Sequence, residues 1–260
     1  PFVADGAVYV LGHDSDLCVI RSDDEGETWS EPAKLTEDQF WHQSACNVHY
    51  ANGKVYLVME RRVHFDHQGW PVSEMAPVLM GGRVDADLTQ KENWNFASEL
   101  VFRDLEEKPN LLAVPFWPAD QTDGKGGRLM NPPGWLETNV VQFTDPDHVW
   151  HDPEGRTFHL WMRAHTGGTG LACIARVEER ADGSMETMLE RAPSGETMLY
   201  AACPGGQMRF HILQDPRTGL YWLLSSLARV VSSGQARHYA SMVIDGEDLH
   251  ILSRSGNQKA

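Results

Sequence analysis

The sequence predicts an all-β fold, a β-propeller of about five four-stranded blades, with six as the alternative. Three observations carry this expectation. A Gly-turn hairpin recurs five times, a second strand–turn–strand unit follows the first three copies, and no long apolar stripe of period 3.6 occurs.

The five hairpins turn at Asp5-Gly6, Asn52-Gly53, Asp152-Pro153-Glu154-Gly155, Asp215-Pro216-Arg217-Thr218-Gly219 and Asp245-Gly246. Each turn is followed by alternating apolar residues, as in Ala7-Val8-Tyr9-Val10-Leu11 and Lys54-Val55-Tyr56-Leu57-Val58. Asn-Gly and Asp-Gly tolerate the positive φ values that tight hairpins need. Outer hairpins are expected at Arg21 to Trp29, at Arg83 to Trp94, and from Cys173 through Ala181-Asp182-Gly183 to Leu189. The fourth and fifth units lack this outer hairpin. A single domain over 1–260 is therefore expected to be incomplete at both ends and near 226–236. Segment 104–135, rich in Pro, Gly and Asp, is expected to be a long loop between blades.

Composition limits the partners. The 260 residues are 41% hydrophobic and 23% charged, which suits a folded globular chain, and no apolar run is long enough for a membrane helix. A net charge of -15 disfavours nucleic acid and anionic membranes. An anionic ligand would need a local arginine cluster working against that field. Neither nucleic acid nor a membrane is expected as a partner, and a small molecule or a glycan stays open. Cys18, Cys46, Cys173 and Cys203 sit in or beside strand-like runs and are expected to be free buried thiols, which lean toward a cytoplasmic setting. The sequence opens inside a strand-like run, Pro1-Phe2-Val3, so it leaves the question of a leader open. The twelve histidines show no HExxH spacing, and neither metal nor cofactor is expected.

Ser22-x-Asp24-x-Gly26-x-Thr28-Trp29 resembles the Asp-box (BNR repeat) of sialidase-like propellers. In such a box the Asp caps its own turn, Gly permits the bend, and Trp packs between sheets. Asp85 to Trp94 is a degenerate echo, with Trp29 and Trp94 expected at equivalent positions. The Arg-Ile-Pro segment common near the start of sialidases does not occur in this chain.

In a four-stranded blade the innermost strand starts, and the second strand ends, at the same mouth. Starts of inner strands carry Trp41-His42-Gln43-Ser44, Leu136-Glu137-Thr138-Asn139, Gly206-Gln207-Met208 and Arg237-His238-Tyr239. Ends of second strands carry Gly12-His13-Asp14, Glu60-Arg61-Arg62, Arg163-Ala164-His165 and Ser253-Arg254. Such polar ends, gathered on one mouth, point to a ligand-binding funnel. Each residue also has an ordinary alternative, as a hairpin-end charge, a hydrogen-bonded histidine or a core aromatic.

The resemblance implies an exo-glycosidase of sialidase type, acting on an anionic terminal sugar. Retaining sialidases use a tyrosine nucleophile with a carboxylate. Tyr239 with Glu137 would fill that role, and Asp14 or Asp16 would be the general acid. Arg62, Arg163, Arg237 and Arg254, with His238 and Gln207, would hold the substrate and its carboxylate. Two alternatives stand beside this. His42, His165 and His238 would suit a lyase or hydrolase on a uronate-containing polysaccharide. A non-catalytic carbohydrate-binding propeller would use Trp41, Trp70, Trp117 and Trp135 as sugar platforms.

Overall fold

The repeated hairpins close through the chemistry of their turns. Asp5 and Gly6 have φ of 49° and 70°, and Asn52 and Gly53 have 52° and 70°. Two successive positive values are what a type I′ turn requires, and its twist matches the paired strands. In the third hairpin the Asp152 carboxylate caps the turn, accepting from the Glu154 and Arg156 backbone N–H groups at 2.9 and 2.8 Å.

The computed structural model describes residues 1–42, 45–67, 71–105, 134–164, 170–206, 209–225, 238–245 and 248–255. Within them the chain is all-β, with antiparallel sheets in chain order. The first sheet runs β1 (Phe2–Ala4), β2 (Ala7–Asp14), β3 (Asp16–Ser22) and β4 (Ala33–Lys34). In the second, β5 (Trp41–His42) and β6 (His49–Ala51) lie along one edge of β7 (Lys54–Arg62), followed by β8 (Met75–Arg83) and β9 (Trp94–Phe96). The third runs β10 (Trp135–Val141), β11 (Thr157–Ala164), β12 (Leu171–Glu179) and β13 (Met185–Met188). A small hairpin of β14 (Glu190–Arg191) and β15 (Thr197–Met198) follows, and β16 (Tyr200–Ala202) returns to pair with β12. β17 (His211–Gln214) with β18 (Tyr221–Leu224), and β19 (His238–Asp245) with β20 (Asp248–Ser255), form two further pairs. Among the described residues no helix is long and apolar enough to cross a membrane.

Sheet follows sheet because both faces of the inner strands are apolar. On β7, Val55, Leu57 and Met59 pack with Tyr9, Leu17, Val19 and Trp94 in one core between the first and second sheets. Tyr56 and Val58 point the other way, into a second core with Phe158, Leu160 and Met162 of the third. Side chains alternate with period two along a strand, so one strand serves two cores. A third core joins Val141 and Ala172 to Phe210 and Ile212 of the fourth sheet. Burying one such side chain stabilises by about 1.5–3 kcal/mol.

Two buried asparagines stitch the inner strands together. Asn47, between β5 and β6, donates to the carbonyls of Val140 (2.8 Å) and Ile212 (3.0 Å) and accepts from the Val140 N–H at 2.8 Å. Asn139 donates to the Phe210 carbonyl at 3.1 Å and accepts from the Ile212 N–H at 2.9 Å. These bonds replace ladder hydrogen bonds where strands of neighbouring sheets meet without pairing.

The turn from Ser22 to Trp29 is closed by its own side chains, as the resemblance implies. Asp24 accepts from the Thr28 N–H (2.8 Å) and hydroxyl (2.6 Å), while Ser22 Oγ accepts from the Gly26 N–H at 2.8 Å. The echo keeps the aspartate: Asp87 accepts from the Thr89 N–H and hydroxyl, with no glycine needed. The tryptophans differ from expectation. Trp94 is buried, 5% exposed, and donates to the Leu88 carbonyl, whereas Trp29 is 40% exposed. Trp94 opens a paired strand, while Trp29 lies four residues before β4 and outside any ladder, so no neighbouring sheet covers it. β14, β15 and β16 were also not expected. The shortcut expected between Ser225 and Arg237 falls outside the described residues.

Candidate functional site

A bulge in β10 creates the centre of the site. Leu136 pairs with Arg163 and Asn139 with Trp161, so Glu137 and Thr138 together oppose one residue of β11. Glu137 takes φ = 56°, a left-handed conformation costing roughly 1–2 kcal/mol for a residue with a side chain. Strain of this kind persists only where neighbours hold it. Here the Glu60 carboxyl, from β7, accepts from the Thr138 N–H at 3.3 Å and hydroxyl at 3.2 Å. Arg163, at the end of β11, donates to Glu137 Oε2 at 3.2 Å. Both members of that ion pair are buried.

Glu60 is 1% exposed, and its Oε2 has no hydrogen-bond partner among the described residues. Burial first, then the charge of Glu137, pushes its carboxyl up to about 8, against the pull of the Thr138 bonds. Near neutral pH Glu60 is thus mainly a neutral acid beside Glu137, since two adjacent buried carboxylates would not both ionise. Cys46 borders this group, its thiol raised by burial and close enough to feel Arg209, Glu137 and Glu60. His211, on β17, is buried and lowered to about 4 by burial and the charge of Arg209. It is therefore neutral at physiological pH. Three sheets contribute to one cluster: Cys46 and Glu60, Glu137 and Arg163, Arg209 and His211.

The other expected residues are placed as follows. Arg62 is tied to the buried Glu74, at 2.7 Å, and its guanidinium lies over Phe65. Glu74 also accepts from the Asp66 and His67 N–H groups, so Arg62 belongs to a structural network at the end of β7. Asp14 is exposed at the end of β2, in a shallow recess of about 380 Å³ with His13, Cys18 and Lys34. Asp16 is buried in its turn, held below the ordinary carboxylate range by the Gln39 N–H above all, then by Thr36 and Lys34. A carboxylate so committed does not suit a general acid. His42 is the register partner of Glu60, with its ring 6.1 Å from that of His13. Tyr239 and Arg254 are register partners on β19 and β20, and His238 pairs with Ser255. His165, Gln207 and Arg237 lie outside the described residues, as do Trp70 and Trp117. Trp41 and Trp135 are 2% and 0% exposed, so they are core residues and not sugar platforms.

The structure therefore unites Glu137 and Arg163 and adds Glu60, Cys46, Arg209 and His211. Glu60 had a sequence signal: it lies two residues before Arg62 on one strand, hence on the same face. Arg209 follows directly after the polar start expected at Gly206 to Met208. Cys46 and His211 carried no such signal. All four cysteines are free; Cys46, Cys173 and Cys203 are buried as expected, whereas Cys18 is only half-buried.

An all-β chain of consecutive antiparallel sheets, with a buried acid–arginine cluster where inner strands start, is the class these observations define. No family model matches the chain and no curated protein matches it. Among solved structures it is similar to Trypanosoma rangeli sialidase in complex with sialic acid, at 11% identity and a TM-score of 0.32, over 98% of this chain and 51% of that one. The chain thus spans about half the length of that protein, and a likeness of this size carries no argument here.

Proposed function

We propose that this chain is a sialidase-type exo-glycosidase whose successive sheets are the blades of a propeller. The observation that carries the reading is the buried Glu137–Arg163 pair on a strained bulge, beside a neutral Glu60. Strained backbone and a raised carboxyl gathered at one point are a pattern of functional sites. In this reading Tyr239 is the nucleophile and Glu137 draws off its proton. Arg163, Arg237 and Arg254 hold the substrate carboxylate, and Asp14 protonates the leaving oxygen. His238 and Gln207 complete the substrate contacts. Glu60 stays neutral, which limits the negative charge facing an anionic sugar.

The test is hydrolysis of an aryl sialoside by the purified protein. Activity is expected, and Arg163→Ala should lower kcat/KM about a hundredfold, the loss of one or two charge-assisted hydrogen bonds. Absence of hydrolysis overturns the reading. His42, beside Glu60 in register and near His13, favours one second reading: proton abstraction next to a uronate carboxylate. Unsaturated-uronate absorbance without sialoside hydrolysis would select it. Activity in neither assay would select a binding module.

A further inference from the structure

Two phenylalanines stand exposed at one end of the second sheet. Phe40 and Phe65 are 40% and 61% exposed, and their rings meet edge-to-face with centroids 6.0 Å apart. Single exposed apolar residues are ordinary, but two aromatic rings packed together and held in water are not.

Phe65 is held by its backbone. Arg62 Nε donates to the His64 carbonyl at 2.9 Å, and Glu74 accepts from the Asp66 and His67 N–H groups at 3.0 and 2.7 Å. The chain is thus bonded on both sides of Phe65. Arg62 also donates to the fully buried Glu74 through Nε at 2.8 Å and Nη2 at 2.7 Å, and its guanidinium lies 4.7 Å from the Phe65 ring centroid. Phe40 is tied to the same strand end, its carbonyl accepting from the Arg62 N–H at 2.7 Å. Rings fixed in advance give up little freedom on binding.

The pair sits beside the site described above. His42, two residues after Phe40, is the register partner of Glu60, which lies two residues before Arg62. Glu74 ends a short 3₁₀ turn, Val72–Glu74, and the start of β10 packs on that turn. A Cβ at Gly134 would lie 2.6 Å from the Val72 carbonyl oxygen, so only glycine allows the approach. Glu137 follows three residues later, and Leu136 pairs with Arg163. The rings therefore mark the same end of the second and third sheets as Glu60, Glu137 and Arg163.

Charge decides what the rings can take. In the segment that carries Phe65, Arg62 meets Glu74, Asp66 meets Arg103, and His64 meets Asp104 at 2.6 Å. Groups already paired offer little to an ion, or to a hydroxyl-rich ring that would give up its own water. What remains is aromatic surface, and edge-to-face packing favours a further ring.

We infer that Phe40 and Phe65 form a binding site for an uncharged aromatic group carried on the leaving side of the substrate. The assignment to the leaving side rests on the glycosidase reading; the affinity of the rings for an aromatic group does not.

Two measurements separate the two claims. In the first, 4-fluorobenzyl alcohol is titrated with the full chain and followed by fluorine NMR. A saturable shift is expected, weakened about tenfold in Phe65→Ala, the size of one aromatic contact with its buried area. Phe65→Leu keeps the apolar bulk at an exposed position, so it should fold as the wild type does and weaken binding about threefold. Methyl α-D-glucopyranoside should not reverse the shift. In the second, kcat/KM is compared for the 4-nitrophenyl and methyl glycosides of N-acetyl-α-neuraminic acid. Phe65→Ala should lower the aryl-over-methyl ratio about tenfold. No saturable shift, an equal shift in Phe65→Ala, or reversal by the glucoside overturns the site. A saturable shift with an unchanged ratio overturns its place on the leaving side. If neither sialoside is hydrolysed, the glycosidase reading falls and the leaving-side assignment with it, while the fluorine titration still decides the site.

Discussion

The Glu60 carboxyl takes both the backbone N–H and the hydroxyl of Thr138, 78 residues further along the chain. This contact fastens the second sheet to the bulge of the third and leaves Glu60 close enough to feel the charge of Glu137. The strained Glu137 and the neutral Glu60 are thus parts of one arrangement.

The stabilising contribution of the Glu60 carboxyl should fall as pH rises from about 5 to about 8. The folded Glu60 carboxyl titrates near 8, above its ordinary value of 4.5. Between those values the folded state holds a proton that the unfolded state has released, so raising pH favours unfolding. Glu60→Gln keeps the shape and the acceptor oxygen but cannot ionise. Its thermal midpoint should decline less over this window than that of the wild type, by several degrees. Thermal melts in matched buffers at pH 5, 6.5 and 8 measure this, and parallel declines would disprove it.

Asn139→Ala should destabilise the chain by about 3 kcal/mol. The change removes two bonds and leaves the Ile212 N–H and Phe210 carbonyl unmet in the interior. The thermal midpoint should drop by roughly 5–10 °C. A drop under about 1 °C would mean that this side chain does not stitch the third sheet to the fourth.

Asp24→Ala should lower the thermal midpoint at pH 7, and the gap from wild type should narrow as pH approaches 2. The bonds from Thr28, then from Ser22, hold the Asp24 carboxyl down to about 2. A group depressed in this way stabilises above its ordinary pKa, and that contribution is lost as pH falls through its folded value. An equal gap at pH 7 and pH 2 would contradict the turn-capping role.

Much of the fold was legible because its determinants are local. Asp5-Gly6 and Asn52-Gly53 specify their turns by backbone conformation alone, and the strands beside them alternate as written. The site was legible in part. Glu137 and Arg163 were reachable because a rule about strand ends places them near each other. Arg62 obeyed the same rule yet pairs with Glu74, since the rule fixes a position and not a partner.

Local sequence set where the chain turns, most of the runs that become strands, though not β14, β15 and β16, and the capping of the Ser22-to-Trp29 turn by Asp24. Each of these depends on residues a few positions apart. Only the tertiary structure decided that Glu60 would be buried against Thr138, that His159 would meet Glu190, and that Trp41 and Trp135 would lie in the core. Partner choice and burial depend on which sheet faces which. That is settled by apolar packing summed over both faces of each strand, a sum no short stretch of sequence contains.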